Sequence, residues 1–359
     1  MSFSRTVWMI PGRSAFALAR NRGANAASAM RPFSIENKPS GTGKPDMALI
    51  RELREASGAP IVDCKNALAA EGVNGDIGQA FQWLRKRGIA KATSMADRSA
   101  NEGLIGLRVD GIRGALVEVN SETDFVARNA KFQEFVEKAL VVALAKAKEP
   151  AEGTSATREL DVDELLQSEY PGSGEVLADS LAHLVAAIRE NIAISRAHVL
   201  SLSSGQGVVS GYVHGAVGPG MGKNAAIVAL KLADAASTAN NATIEALDAS
   251  AKSLAMHVVA ARPAFLDEAS APSDALEREK TLLLDQARES GKDPKILDKM
   301  VQGRLRKYLE DNALVRQSHM VAEGNPRVSD YLGVLGEQVG GTVTVEGFAR
   351  LSVGERESE

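Results

Sequence analysis

The feature that most restricts this chain is a change of hydrophobic period near residue 100. Up to that point apolar residues recur three and four apart, the spacing of one helix face. Beyond it Ile105, Leu107 and Val109 alternate with Gly106, Arg108 and Asp110, Asp110-Gly111 makes a turn, and residues 115–119 return as Ala-Leu-Val-Glu-Val. Asp-Gly between two such runs is the strongest short hairpin signal. A helical face follows at once through Phe132, Phe135, Val136, Ala139, Leu140 and Ala143. A chain that changes from period 3.6 to period 2 and back has to pack helices on sheet, so the class is α+β.

The remaining elements hang on that hairpin. Residues 46–90 read as three short helices at 48–57, 60–71 and 75–87. Their apolar positions are Leu49, Ile50 and Leu53, then Ile61, Val62, Cys64, Ala67 and Leu68, then Ile77, Phe81 and Leu84. Asp76 starts the third helix and Gly88 stops it, and Lys86, Arg87, Lys91 and Arg98 give a basic linker. So small a unit buries little, so it is expected to dock on something larger.

An acidic, Pro/Gly-broken insertion at 149–175 precedes a helix carrying Leu177, Leu181, Leu184, Val185, Ile188 and Ile192. The second half repeats the scheme loosely: strands at 208–217 and 225–232 joined by a Gly-rich loop, then a helix lined by Ile244, Leu247, Leu254, Val258 and Val259. The likeness of the halves leaves duplication open. Two helices at 274–289 and 294–311 flank Ser290-Gly291-Lys292-Asp293 and form an antiparallel hairpin, with Leu276, Leu283, Leu297, Val301, Leu305 and Tyr308 as core partners. Val343, Val345, Ala349, Leu351 and Val353 return to sheet, so the hairpin is an insertion in the second core. The expected divisions are 1–45, 46–90, 100–204, 205–272 with 316–355, and 273–315.

Charge and cysteine usage narrow the function. Residues 1–35 hold Arg5, Arg13, Arg20, Arg22 and Arg31 and no acid, so setting them aside takes the net charge from −4 to −9. A body that acidic, with few aromatics, is poorly suited to phosphate backbones, and no direct nucleic-acid partner is expected. Cys64 is the single cysteine, which excludes a disulfide framework and Cys-based zinc ribbons. No apolar run approaches the ~20 residues that span a bilayer, so no membrane partner is expected. The acid-free, Arg- and Ser/Ala-rich start has the composition of an organelle transit peptide, with mitochondrial import favoured over plastid, and Arg31-Pro-Phe-Ser34 suits a processing protease. A Pro/Gly/Ser linker follows at 37–45.

Motifs for chemistry fail one by one. Gly218-Pro-Gly-Met-Gly-Lys223 lacks both the first Gly and the final Ser/Thr of a phosphate loop, having Val217 and Asn224 there, and is flanked by strands. The histidines show no metal spacing, there is no Gly-x-Ser-x-Gly elbow, and neither cofactor nor metal is expected. His257 in an apolar helix is by default a satisfied core histidine, and Cys64 a small buried hydrophobe. One segment resists a purely structural account: Ser121-Glu-Thr-Asp-Phe-Val-Ala-Arg-Asn129, after the second hairpin strand. Capping explains Thr123, or Ser121, and Asp124. It explains Phe125 less well, and that ring suits equally local packing or a wedge for a partner's pocket.

At Thr123-Asp-Phe-Val-Ala-Arg-Asn129 the chain resembles translation elongation factor Ts, the guanine-nucleotide exchange factor for elongation factor Tu. Further matches run in family order over 48–355: Leu53-Arg-Glu, Ser57-Gly-Ala, Val62-Asp-Cys-Lys65, Ala67-Leu68, Asn74-Gly-Asp-Ile77, Ile188-Arg-Glu-Asn-Ile192, Met256-His-Val258, Lys299-Met-Val-Gln-Gly-Arg304 and Gly347-Phe-Ala-Arg350. With the transit segment, the likeness is to the mitochondrial type.

The resemblance implies a head similar to a ubiquitin-associated domain, a duplicated dimerisation-type α+β core and an inserted coiled-coil hairpin. It also implies a non-enzymatic role in which GDP, GTP and Mg2+ are met only through elongation factor Tu. Thr123, Asp124, Phe125 and Val126 would dislodge the partner's magnesium, Ile61, Val62 and Lys65 would be head contacts, and Met256 and His257 contacts of the second core. Pro60 and the 217–224 loop depart from the family pattern. Two other readings remain: an adaptor whose head binds ubiquitin-like proteins, and a nucleotide-using enzyme built on that loop.

Overall fold

The computed structural model describes residues 45–95, 97–148, 156–203, 207–234, 240–289 and 294–355. The expected presequence and most of its linker, the start of the 149–175 insertion and the 290–293 helix connection lie outside the described residues.

The chain opens with helices α1 (Met47–Ser57), α2 (Ile61–Leu68) and α3 (Ile77–Met95). The Asp46 carboxylate caps α1 by accepting from the Ala48 N–H at 3.0 Å, and Gly58 closes it in the left-handed region that glycine adopts without strain. Ile50, Leu53, Cys64, Ala67 and Leu68 make the small core with Ala80 and Leu84. Ile61 and Val62 do not join it. They form the first turn of α2, ahead of the residues that the other helices cover, and stand exposed.

Gly88 does not stop the third helix, which runs through it to Met95 and takes in Lys86, Arg87 and Lys91 of the expected basic linker, leaving Arg98 beyond its end. A Cβ at Gly88 would lie 3.3 Å from the Ala182 carbonyl, so its bareness serves a close helix crossing instead of a terminus. The crossing partner is α6 (Leu177–Ile188). Arg85 pairs with Asp179 of that helix, and the Phe81 ring meets His183 edge-on at 5.5 Å. The three-helix unit thus docks on its neighbour, as its size demands.

The first core contains β1 (Glu102–Asp110), β2 (Arg113–Ser121), α4 (Ala130–Ala145), β3 (Thr157–Glu159), α5 (Val162–Leu166), then α6 and β4 (Ile192–Ser201). The second contains β5 (Gly207–His214), β6 (Met221–Gly222), β7 (Asn224–Ala233), α7 (Asn241–Ala261), α8 (Ser273–Glu289), α9 (Pro294–Asn312), α10 (Val328–Val339) and β8 (Thr342–Ser352). Helix α6 is shorter than its apolar spacing predicts. Arg189 turns left-handed after Ile188, and Ile192 opens β4.

The sheets are ordered β3-β4-β2-β1-β6 and β5-β7-β8, with the paired strands antiparallel. Their arrangement is layered: helices, sheet, sheet, helices. Leu104, Ala115, Val117 and Val119 pack against α4, whereas Ile105 and Leu116 face Val209, Ile227 and Leu351 of the other sheet. Strand β7 shows the same alternation, with Ile227 and Ala229 toward the first sheet and Val228 and Leu230 toward α7. Strands buried on both faces read as continuous apolar runs, which is why their period-2 signal is partial.

The Gly-rich loop holds a short strand, β6, at a sheet edge. Met221 and Gly222 pair with Gly106 and Ile105 at the edge of the first sheet, and Gly220 accepts from the Leu107 N–H at 2.7 Å. A Cβ at Gly220, whose φ is +65°, would lie 2.6 Å from the Leu107 carbonyl oxygen. Helices α8 and α9 meet through Leu283, Leu284, Val301 and Leu305. Leu276 and Tyr308, expected in that seam, pack with Phe265, Leu309 and Ala313 where the pair joins the core. The side chain of Leu297 lies outside the described residues.

Candidate partner-binding surface

Strand β2 ends at Ser121, and the chain reaches α4 through a 3-10 turn, Asp124–Arg128. Helix α4 is capped by Asn129, whose side chain accepts from the Lys131 N–H at 2.9 Å. Thr123 is therefore not the cap that its residue type suggests. Its hydroxyl donates to Glu190 Oε1 at 2.7 Å and its N–H to Glu190 Oε2 at 2.9 Å, while its carbonyl accepts from the Ser121 hydroxyl at 2.9 Å. At the other end of the turn the Gln133 amide donates to the Ala127 carbonyl at 2.9 Å. Val126 and Ala127 are buried in the first core. With both ends tied and two side chains anchored, the turn points Asp124 and Phe125 outward, and Phe125 is 81% exposed. The fold makes no use of that ring. Burying a phenylalanine stabilises by about 1.5–3 kcal/mol, and the fold forgoes that contribution here.

On α2, Ile61 is 46% and Val62 61% exposed, and Lys65 is exposed. Between them Asp63 pairs with Arg189 at 3.5 Å. Cys64 turns inward, its thiol donating to the Ala59 carbonyl at 3.5 Å, and burial raises its pKa above the ordinary value. A thiol so placed is a packing residue, not a nucleophile.

Met256 is half-buried, but His257 has no exposed surface. The expectation of His257 as a direct contact is corrected accordingly. The ring lies between α7 and the 314–321 segment, with Nε2 3.0 Å from Gln317 Oε1 and Nδ1 accepting from the Met320 N–H at 3.2 Å. His319 lies 5.2 Å away, ring to ring, and its Nδ1 accepts from the Val321 N–H at 3.2 Å. Desolvation lowers the pKa of both, in His319 to about 4, with the neighbouring His257 contributing there. The pair fixes a knuckle that shows Met320, 61% exposed, and Val321 to solvent. Sequence reasoning missed these two. Adjacent apolar residues inside the polar run Gln317-Ser-His-Met-Val-Ala-Glu-Gly-Asn325 were the available signal.

These placements define a class: an α+β protein that presents apolar side chains on rigid turns and helix starts, a protein that acts by docking. The sequence model of the family described as elongation factor TS matches residues 122–355. Elongation factor Ts of Paramagnetospirillum magneticum is 42% identical over 308 residues, covering 86% of this chain and 91% of that protein. The same named protein of Rhodospirillum centenum is 42% identical over 86% of this chain and 92% of its own length, and that of Gluconobacter oxydans 43% over 86% and 91%. The chain belongs to the elongation factor Ts family, whose members are nucleotide-exchange factors of translation elongation and not enzymes.

Proposed function

We propose that this protein is the guanine-nucleotide exchange factor for elongation factor Tu in mitochondrial translation, meeting GDP, GTP and Mg2+ only through that partner. The observation that carries the reading is Phe125, an exposed ring on an otherwise anchored turn. An exchange factor forms no bond. It must bind the nucleotide-free partner more tightly than the nucleotide-bound one, and by linkage GDP weakens its binding by the same factor. Magnesium neutralises phosphate charge, so a shift of its ligand shell removes much of the hold on GDP. Phe125 supplies the shift by inserting an apolar ring between elements of the partner, a gain available only in the distorted state. Asp124 adds negative charge beside the displaced ion, with Thr123 and Val126 seating the turn. Ile61, Val62 and Lys65 grip the partner from the head and Met256 from the second core.

In this reading residues 46–90 are a domain of the ubiquitin-associated kind, 100–204 and 205–272 with 316–355 are duplicated halves, and 273–315 is a coiled-coil insertion. Duplication is supported by topology: with β3, α5, β6 and the α8–α9 hairpin set aside, each half runs strand, strand, helix, helix, strand, and the second of its three strands is central. Residues 1–45 act as presequence and linker, for which the supporting observation is their acid-free, Arg-rich composition.

Copurification with elongation factor Tu tests the function: a stable complex that GDP plus magnesium dissociates is the expected result. Binding of a ubiquitin-like protein by residues 46–90 in place of it would favour the adaptor reading. GDP retained by the protein alone in equilibrium dialysis would favour a nucleotide-using enzyme. For the address, residues 1–45 fused to a fluorescent reporter are expected to carry it into mitochondria.

A further inference from the structure

The corner between α6 and β4 carries a role beyond chain reversal. Arg189 occupies the left-handed region at φ +69°, unfavourable for a residue with a Cβ, and its N–H closes α6 on the Val185 carbonyl at 2.8 Å. From there three successive residues reach three different segments. The Arg189 guanidinium reaches Asp63 of α2, next to Val62, at 3.5 Å. The Glu190 carboxylate takes both the hydroxyl and the N–H of Thr123. The Asn191 amide donates to the Arg98 carbonyl at 2.7 Å, and its N–H to Glu122 Oε1 at 2.6 Å.

We propose that the Arg189-Glu190-Asn191 corner is the positioning device of the exchange surface: Glu190 sets the turn that aims Phe125, and Arg189 fixes the head's exposed α2 start to the same point. The inference rests on the exchange-factor reading. It follows from what each side chain does with its polar atoms. Both donors of Thr123 are spent on Glu190, so Thr123 acts inward, on the turn, and its place beside Phe125 has a mechanical purpose. Glu190 acts on the turn through Thr123 and is a positioning residue. Arg189 and Glu190 are adjacent, so a displacement of the head on α6 and a displacement of the turn are transmitted to one piece of backbone. A composite surface built this way meets its partner in one preformed geometry, which lowers the ordering cost of binding.

The two arms make different kinetic predictions. Release of a fluorescent GDP analogue from elongation factor Tu, followed by stopped flow against exchange-factor concentration, yields a maximal rate and a half-saturating concentration. Glu190→Ala is expected to lower the maximal rate about tenfold, the scale of losing charge-assisted hydrogen bonds, with half-saturation unchanged. Arg189→Gly keeps the left-handed corner and removes the tie to Asp63. It is expected to raise the half-saturating concentration about threefold with the maximal rate unchanged, the scale of an exposed ion pair.

Glu190→Gln, which preserves shape and one acceptor, is expected to fall between wild type and Glu190→Ala. The Thr123 amide should exchange its hydrogen faster in Glu190→Ala while the thermal midpoint stays within a few degrees. If Glu190 acts through Phe125, the double variant with Phe125→Ala is no slower than Phe125→Ala alone. Multiplicative losses in the double variant, or an unchanged maximal rate in Glu190→Ala where Phe125→Ala is slow, overturn the inference and leave the exchange reading standing. An unchanged maximal rate in Phe125→Ala itself overturns the wedge, and with it this inference.

Discussion

At the scale of single residues, the protein separates side chains that hold the fold from side chains that the fold holds out. Phe125 is of the second kind. Its exposure predicts that Phe125→Ala leaves the thermal midpoint unchanged yet costs about 2–4 kcal/mol of transition-state stabilisation in GDP release, the size of an interface hot spot. Stopped-flow release beside a melting curve reads both. Glu118 is of the first kind. It is buried in β2, accepts from the Arg196 Nε at 2.8 Å, the Asn120 amide at 2.9 Å and the Gly354 N–H at 2.8 Å, and so ties β4 and the chain's last turn to the first sheet. Glu118→Ala strands a largely buried guanidinium and is expected to lower stability by about 3–5 kcal/mol in urea denaturation. Residue type alone distinguished neither case: a glutamate amid valines and a phenylalanine amid polar residues are both exceptions to patterning.

At the scale of elements, the decisive contacts lie between segments far apart in sequence. Helix α7 and the 314–321 segment are joined by His257 and His319, each using Nδ1 as a backbone acceptor and therefore needing to be neutral. Both folded-state pKa values are depressed, so the unfolded chain binds more protons below about 6.5, over a window that for His319 reaches down to about 4. Stability is full above pH 7 and falls as pH drops through that window. Urea titrations at pH 7.5 and pH 5 are expected to differ by on the order of 2 kcal/mol from this source, and His319→Phe to flatten the dependence.

The Gly-rich 217–224 segment makes a similar point. Its composition suggests a ligand loop, but Gly220 is required because its neighbour is the Leu107 carbonyl. Gly220→Ala is expected to loosen the β6–β1 seam, seen as faster amide exchange at Leu107, whose N–H the Gly220 carbonyl accepts.

At the scale of the whole molecule, the head and the first core behave as one body. Gly88 lets α3 approach α6, Arg85 pairs with Asp179, and the Lys131 ammonium donates to the Gly58 carbonyl at 3.0 Å. Gly88→Val, which drives a branched side chain toward the Ala182 carbonyl, is expected to undock the head. Two unfolding transitions would then replace one in calorimetry, and amides of α1–α3 would exchange faster than those of β2.

The amino-acid sequence by itself determined the α+β class, the first hairpin, the faces of α1 and α4, most of that of α7, where Ile244 stands exposed, and the family. Each is written in local periodicity or in an ordered set of short motifs. Only the tertiary structure decided that Gly88 continues a helix, that Ile192 opens a strand, that β6 seals the first sheet, that His257 is interior, and that one corner holds both the head and the Phe125 turn. Periodicity records which face of an element is apolar. It carries no information on which distant segment covers that face, because that choice is made by the summed packing of the whole chain.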